Sequence, residues 1–346
     1  AHFPIRMIQV RGPEIEKADQ KKRVKLWIVR GFRSVILIAV LLGLTAATRR
    51  CLQELREQKF SLTSVDGLGF LTACFWYGLG MLPCWAYWHR ILKAMGQKPT
   101  CLESFRAFFI GQLGKYVPGK ATVVALRADW VGSERTRLPP AATSVFIETL
   151  TMMAVGGGLS CTYLIVVPQQ HIEGVPLGPN TLAALALALM FVSGVPIWPP
   201  LFRKLVVMVG VKRADPEIES ALKGIDLRLL LTGWLLNLLA WACWGMSLLM
   251  ILRSLPDTTA SWSDWPLLTA SVALAMVAGF LSLIPGGLGV REMVILSLLA
   301  PYGGTVALVS AVMLRLAWLL TEVLCAIILY IGRWIPFDRD HSTRHL

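Results

Sequence analysis

The chain has little charge for its length. Of its 346 residues, 16% are Asp, Glu, Lys or Arg, whereas 55% are hydrophobic, and the mean hydropathy is +0.61. Soluble globular domains carry about 25% charged residues and fewer apolar ones. Several apolar stretches also approach the ~20 residues that a helix needs to cross a bilayer. The composition excludes a soluble globular domain and predicts an all-α, polytopic integral membrane protein.

Clusters of metal-binding or redox-active side chains are also lacking. The seven cysteines and five histidines are scattered along the chain, with no Cys-x-x-Cys motif and no Cys/His cluster. Metal sites and disulfide frameworks depend on such spacings. We therefore expect no metal ion, no other cofactor and no disulfide framework.

A functional nucleotide-binding motif is missing as well. Residues 114–120 have the Gly-x-x-x-x-Gly-Lys spacing of a phosphate-binding loop, but Ala121 stands where a magnesium-binding hydroxyl is needed. Pro118 lacks a backbone donor, and the preceding segment is an apolar helix rather than a strand. We exclude a nucleotide site, so any transport by this protein would be downhill or ion-coupled.

The apolar segments predict one transmembrane domain, residues 34–332, between a basic cytoplasmic segment, 1–33, and a cytoplasmic tail, 333–346. We expect about six full spans and two re-entrant hairpins. The first span runs from Val35 to Thr48, since the long polar region before it disfavours a cleaved signal peptide. The other spans are predicted at 67–88, 140–167, 178–200, 229–252 and 305–332.

The basic residues predict the orientation in the membrane. Most of the 34 Lys and Arg residues lie in segments predicted to be inside, and few lie in the predicted outer loops 49–66, 168–178 and 253–264. This asymmetry places both termini in the cytoplasm and makes the half-repeats 67–200 and 229–332 inverted. The net charge of +13 then indicates anionic lipid at the cytoplasmic face, not nucleic acid.

A short motif occurs twice, each copy breaking an apolar segment with Pro-Gly. A helix that restarts after such a break points free N–H groups and its positive dipole end at the break. Broken helices with charges at membrane depth are typical of transporter cores. We therefore expect two re-entrant hairpins and an anion site between them. The breaks are Pro118-Gly119 and Pro285-Gly286-Gly287, with arms at 104–117, 266–284 and 288–300.

Ionisable side chains lie beside both breaks and in the apolar helices that follow. Charges at membrane depth are costly and usually functional, and arginine matches phosphate because its donors form a rigid fork. We predict that the basic residues bind a phosphate, while Glu148 and Glu322 balance them or contact an amine. The predicted substrate-binding residues are Lys115, Tyr116, Lys120, Arg127, Glu148, Arg291, Glu292, Arg315 and Glu322.

A structural role for the same charges is the alternative. Arg291 would then pair with Glu292, or with another acid, and hold the second hairpin together. Arg315 and Glu322 are seven residues apart on one helical face, where they would join a charge network that fixes helix packing. Both interpretations stay open at the level of the sequence.

The motif residues resemble those of a known family. Lys-Tyr-Val-Pro-Gly at 115–119, Glu148, Pro-Gly-Gly-Leu-Gly-Val-Arg-Glu at 285–292 and Arg315 are similar to the lysylphosphatidylglycerol synthase transmembrane-region family. Its best-known members are bacterial multiple-peptide-resistance proteins, in which this region flips lipids beside a cytosolic aminoacyl-transferase domain. The resemblance covers about residues 30–333 and implies a lipid flippase of the bacterial inner membrane.

Two positions depart from the family's motifs, because Lys120 replaces an expected glycine and Thr149 an expected basic residue. We also expect no synthase domain, since Gly332 closes the last predicted span. The substrate is therefore expected to be a phosphate-bearing lipid that is derived from phosphatidylglycerol, aminoacylated or polyprenyl-phosphate-linked. The alternatives are a membrane transferase acting on a lipid phosphate and a non-catalytic partner of a separate lipid-modifying synthase. A homo-oligomer is also open.

Overall fold

The computed structural model describes residues 38–117, 121–132, 135–166, 179–195, 198, 200–201, 204, 217–256, 258–282 and 289–332. Regular secondary structure in these residues is helical throughout. In chain order the helices are α1 at 38–57, α2 at Gly67–Ala94, α3 at Cys101–Gln112, α4 at Ala121–Val131, α5 at Leu138–Val166, α6 at Pro179–Gly194, α7 at Ile218–Leu222, α8 at Leu227–Ser254, α9 at Trp265–Leu281, α10 at Val290–Leu298 and α11 at Gly304–Ile331.

Short polar residues at the membrane edges determine where several helices begin. Asp66 precedes α2 and accepts hydrogen bonds from the N–H groups of Leu68 and Gly69. Thr100 and Glu103 cap α3 reciprocally, each side chain accepting from the other's backbone N–H. These caps satisfy N–H groups that have no partner within the helix.

Five helical segments of the described chain are long and apolar enough to cross a membrane. They are α2, α5, α8, α11 and α9 together with the turn before it, Trp262–Leu281. Large apolar side chains are exposed along the outer faces, among them Leu71 and Phe75 on α2 and Ile327 and Ile328 on α11. Lipid solvates such faces while the helices satisfy their own backbone groups. The prediction of an all-α polytopic membrane protein is confirmed.

The first helix differs from its predicted extent. The sequence predicted a span ending near Thr48 and an outer loop at 49–66, but α1 continues to residue 57. Cys51 and Leu55 are only 4% and 2% exposed in the core. Packing of these two residues therefore extends the helix through a segment whose local polarity predicted a loop.

Two helical segments differ in length from what the sequence predicted for them. The described α6 has 16 residues, about 24 Å of helix, and is shorter than the span predicted at 178–200. Conversely, the segment Trp262–Leu281 has 20 residues, enough to cross, although its sequence was assigned to a hairpin arm. α3 and α4, with 12 and 11 residues, are too short to cross. The count of six spans and the re-entrant path of the second hairpin stay predictions.

Helix contacts in the second half repeat those in the first. α3 packs on α4 and α4 on α5, just as α9 packs on α10 and α10 on α11. Across the halves, α3 contacts α11 and α9 contacts α5, while α2 and α8 form the most extensive helix pair. Each hairpin, α3–α4 or α9–α10, therefore lies against a long helix of both halves. The inverted orientation of the halves stays a prediction.

Candidate functional site

A buried ion pair joins the first hairpin to α5. Arg127 on α4 donates from Nη1 to Oε2 of Glu148 at 2.7 Å, and the two side chains are only 3% and 2% exposed. The guanidinium also lies 4.1 Å from the ring centroid of Phe108. The α3 helix comes this close because residue 111 is glycine, and a Cβ there would clash with the Arg127 side chain. Because both side chains are buried, this ion pair leaves almost no charged surface exposed inside the first hairpin.

Arg291 occupies the matching place in the second hairpin. Its side chain crosses Gly279 of α9, where an added Cβ would lie 2.6 Å from Cγ of Arg291. In both hairpins an arginine of the second arm therefore packs on a glycine of the first arm. Unlike Arg127, Arg291 has no carboxylate at ion-pair distance and no hydrogen bond among the described residues. The Nε atoms of both arginines are buried without a hydrogen-bond partner.

The second hairpin also forms an ion pair with a long helix, but here the hairpin supplies the glutamate and the long helix supplies the arginine. Glu292 on α10 pairs with Arg315 on α11, and their side chains are 14% and 22% exposed. The second carboxylate oxygen of Glu292 accepts the N–H of Gly289 at 2.7 Å, which caps α10. The structure therefore does not contain the ion pair between Arg291 and Glu292 that the structural alternative predicted.

Glu322 of α11 links the last helix to the first hairpin. It is fully buried, and one of its oxygens accepts from the Nζ of Lys115 and the hydroxyl of Tyr77. The other oxygen accepts from the hydroxyl of Tyr116 at 2.9 Å. Arg315 is not among its partners, although it was predicted to share a network with Glu322. This link crosses between the two halves of the chain.

The charged residues of both hairpins converge on one region. Arg291 interacts electrostatically with Arg315 and Glu292 of its own half and with Tyr116 of the first hairpin. Lys115 in turn interacts with Arg291 and Arg127. A cavity of about 30 Å³ lies here, and its polar lining consists of Arg291, Glu292 and Arg315. One water needs about 10–15 Å³, so the cavity admits water but no lipid headgroup.

Eight of the nine predicted substrate-binding residues lie within the described parts of the chain, and the structure brings all eight into these contacts. The ninth, Lys120, lies outside the described residues. So do the predicted helix-breaking residues, Pro118, Gly119, Pro285, Gly286 and Gly287.

A known protein family matches most of this chain. The family model described as the lysylphosphatidylglycerol synthase TM region matches residues 32–326, which include both hairpins and every predicted site residue. The chain belongs to this family. No curated protein matches it. Membership in the lysylphosphatidylglycerol synthase TM region family fits a lipid-related role in the membrane, as the sequence resemblance implied.

In this family member the structure adds residues that sequence analysis missed. Tyr77 of α2 bonds to Glu322 and stacks on Trp318, with 4.4 Å between ring centroids. Glu54 of α1 interacts electrostatically with Arg315 and Glu292, and its buried Oε2 has no hydrogen-bond partner. Neither had a signal in the sequence, because an isolated tyrosine in an apolar helix predicts packing and Glu54 lies in a segment predicted as a loop.

The described residues contain no group of three or more His, Cys, Asp or Glu side chains that could hold a metal ion. What the site offers instead is one guanidinium without a counter-ion beside three ion pairs, at the junction of two hairpins. This arrangement has the charge and the donors to bind an anion.

Proposed function

We propose that this protein is a lipid translocase, which moves a lipid with an anionic phosphate headgroup across the bacterial inner membrane. The observation that carries the proposal is Arg291, a guanidinium without a counter-ion where the two hairpins meet. Family membership supports the lipid as the substrate class.

The cost of an unpaired charge is the physical argument for a ligand. A cation removed from water inside a membrane protein is destabilising unless a partner compensates it. Each of Lys115, Arg127 and Arg315 has a carboxylate partner, whereas Arg291 has none among the described residues. A phosphate oxygen would supply that partner, in the two-pronged geometry that arginine favours.

Translocation also requires the site to open, because its cavity of about 30 Å³ is too small for a headgroup. Each hairpin contacts long helices of both halves, so a shift of one half against the other would widen the space around Arg291. The headgroup would then cross between the hairpins while its tails stay in lipid. Because no nucleotide site is expected, we propose downhill or ion-coupled movement.

The test is translocation of fluorescent phosphatidylglycerol in proteoliposomes by the wild type and by Arg291→Ala. We expect the variant to lose at least about 90% of the protein-dependent rate, since a charge-assisted contact is worth about 1.5–3 kcal/mol. Arg137→Ala is the matched control, because Arg137 is 40% exposed in a surface pair with Glu217. The control is expected to keep the wild-type rate, and full activity of Arg291→Ala would overturn the proposed site.

Two alternative functions give different results in the same vesicles. A transferase would convert a labelled lipid donor into a new product, which chromatography of the extracted lipids detects. A non-catalytic partner of a lipid-modifying synthase would show neither movement nor product until the enzyme is added. Protein-dependent movement without a chemical change of the lipid supports the translocase and excludes both alternatives as the primary activity.

A further inference from the structure

A cysteine and a histidine are in contact where α2 and α3 meet, away from the junction of the hairpins. Sγ of Cys101 lies 3.8 Å from Nε2 of His89. Cys101 is the first residue of α3 and is exposed, whereas His89 on α2 is only 8% exposed. The two residues belong to different helices and are twelve positions apart, so no sequence motif marks the pair. A thiol beside an imidazole is the arrangement that nucleophilic cysteines use.

Ser104 holds the imidazole from its other side. Its Oγ lies 2.9 Å from Nδ1 of His89 and accepts the indole N–H of Trp85 at 3.2 Å. The same hydroxyl donates to the backbone carbonyl of Cys101 at 3.0 Å. Because Ser104 is 0% exposed, these contacts fix the direction of the ring. A nucleophile, a base and a group that orients the base are therefore all present.

The hydrogen bonds also assign the hydrogen of the ring. A hydroxyl has one hydrogen, and Ser104 gives it to the carbonyl of Cys101. Nδ1 of His89 must then donate to the hydroxyl oxygen. In a neutral imidazole, the main form at pH 7 and above, the other nitrogen is an acceptor. Nε2 of His89 therefore faces the thiol with a lone pair and can take its proton.

The surroundings of Cys101 favour a thiolate. The thiol lies at the N-terminus of a 12-residue helix, where the dipole stabilises negative charge. Lys93, one turn after His89 on α2, adds a cation that interacts with the imidazole. Glu103 is the acid of α3, but its carboxylate accepts the N–H of Thr100 at 2.8 Å. Residues two apart on a helix do not face each other, so Glu103 does not cover the thiol.

We propose that Cys101 is a modification site, a thiol activated by His89 that hydrogen peroxide converts to a sulfenic acid. Nε2 of His89 takes the thiol proton, and the thiolate attacks one oxygen of the peroxide. The S–O bond forms as the O–O bond breaks, so sulfur is oxidised by two electrons and the peroxide is reduced. The leaving hydroxide takes the proton back from the imidazolium and becomes water. The site does not depend on the proposed function.

The modification should be confined to this one cysteine. Oxidation of thiols follows their exposure and their thiolate character, and the other six cysteines are buried or half-buried. Cys84 faces the amide oxygen of Asn237, and Cys74 faces the backbone carbonyl of Ala317. Neither oxygen is a base that would take a thiol proton. Cys101 alone combines exposure with an imidazole among the described residues.

The first experiment treats the purified protein with hydrogen peroxide at pH 7 and traps sulfenic acid with dimedone. Mass spectrometry locates the adduct, which we expect at Cys101 and not in Cys101→Ser. His89→Gln should slow its formation at least about threefold, because the base is lost while the thiol stays exposed. Absence of the adduct at Cys101, or an equal rate in folded His89→Gln, would overturn the proposal.

The pH dependence of maleimide labelling separates activation from a change of access. A free thiol is only a few per cent ionised at pH 7 but almost fully ionised at pH 10, so a base helps only at the lower pH. The wild type should react at least about threefold faster than His89→Gln at pH 7 and no faster at pH 10. An equal ratio at both pH values would mean that the substitution changed access alone, and would contradict activation by His89.

Two further variants keep the test decisive if His89→Gln does not fold. Ser104→Ala removes the acceptor that places the ring hydrogen on Nδ1, and it should also lower the rate at pH 7. Leu102→Cys in the Cys101→Ser background moves the thiol by one residue at the same helix end. Leu102 is 52% exposed, but helix neighbours point in different directions, so this thiol loses His89 and should react more slowly at pH 7. A wild-type rate in either variant would contradict activation by an oriented imidazole.

Discussion

Arg127 and Arg291 occupy equivalent places in the two hairpins, but only Arg127 has a carboxylate partner among the described residues. Arg127 is held by Glu148 and by the ring of Phe108, with 3% of its side chain exposed. Arg291 rests on Gly279 without a counter-ion among the described residues. We therefore assign the first arginine to stabilising the fold and propose the second as the ligand-binding one.

This difference predicts how substitution of Glu148 should act. Glu148→Gln leaves the charge of Arg127 buried without a counter-ion, and the loss of one partner of a buried pair costs about 3–5 kcal/mol. Lost transport in that variant would thus reflect damage to the fold. The combined Arg127→Leu and Glu148→Leu variant should recover most of the stability, since apolar replacement of a whole buried pair is often neutral.

Thermal unfolding in detergent, followed by tryptophan fluorescence, checks this prediction. The measurement compares the single variant, the double variant and Arg137→Ala, which removes one partner of an exposed pair and should change little. A wild-type melting temperature for Glu148→Gln would show that Arg127 and Glu148 do not depend on each other as the contacts indicate.

Most ionisable residues of the candidate site were proposed from the sequence, although Tyr77 and Glu54 were missed, and several ion-pair partners were not predicted. Arg291 and Glu292 are adjacent, and neighbours in a helix point in different directions, so Glu292 reaches Arg315 on another helix instead. Arg315 and Glu322 share a face but lie about 10 Å apart along the helix, too far for a direct pair. Such partners depend on how the helices pack, which local spacing does not contain.

At the scale of the elements, each hairpin relies on one glycine where its arms cross. Gly111 is in contact with Arg127, and Gly279 is in contact with Arg291. A methyl group at either position would overlap the arginine side chain, but only Arg127 is fixed by an ion pair. The same substitution should therefore have different consequences in the two hairpins.

We predict that Gly111→Ala lowers the free energy of unfolding by about 1–3 kcal/mol, as overpacking of a rigid site does. Gly279→Ala should cost less stability, because Arg291 is free to move aside, yet it should reduce the transport rate severalfold by displacing that guanidinium. Melting temperature and phosphatidylglycerol translocation are measured for both variants. Full transport activity of Gly279→Ala would show that Arg291 does not need its present position, and a larger loss of stability in Gly279→Ala than in Gly111→Ala would contradict the expected ranking.

The sequence predicted the helices that depend on a local apolar run, but not the helix ends that depend on packing against distant residues. The long apolar runs predicted α2, α5, α8 and α11, because about 20 apolar residues in a row require a membrane helix. The extension of α1 to residue 57 was missed, since it depends on burial of Cys51 and Leu55 against other helices. The Trp262–Leu281 segment is long enough to cross, but the sequence assigned it to a hairpin arm because a Pro-Gly break follows it.

For the molecule as a whole, the contacts of one half repeat those of the other. The positive-inside asymmetry predicts that the halves are inverted, with residues 89–100 in the cytoplasm. Cys101 begins the helix after this loop and is exposed, whereas the other six cysteines are buried or half-buried. It therefore reports the side of the membrane on which the first hairpin opens.

A membrane-impermeant maleimide should label Cys101 in inside-out vesicles and leave it unlabelled in right-side-out vesicles. Cys101→Ser is the control, and its labelling should fall to background in both. Labelling of the wild type from the outer face would reverse the predicted orientation and place the first hairpin on the opposite side.

The central claim is that the positive charge of Arg291 binds a lipid phosphate as the headgroup passes through the junction of the hairpins. The most direct test compares phosphatidylglycerol translocation by Arg291→Lys and Arg291→Gln, which are similar in size but differ in charge. We predict that the lysine variant keeps a substantial part of the wild-type rate, although it loses the two-pronged contact, and that the rate of the glutamine variant falls at least about tenfold. Equal rates for the two variants, at equal amounts of folded protein, would contradict it.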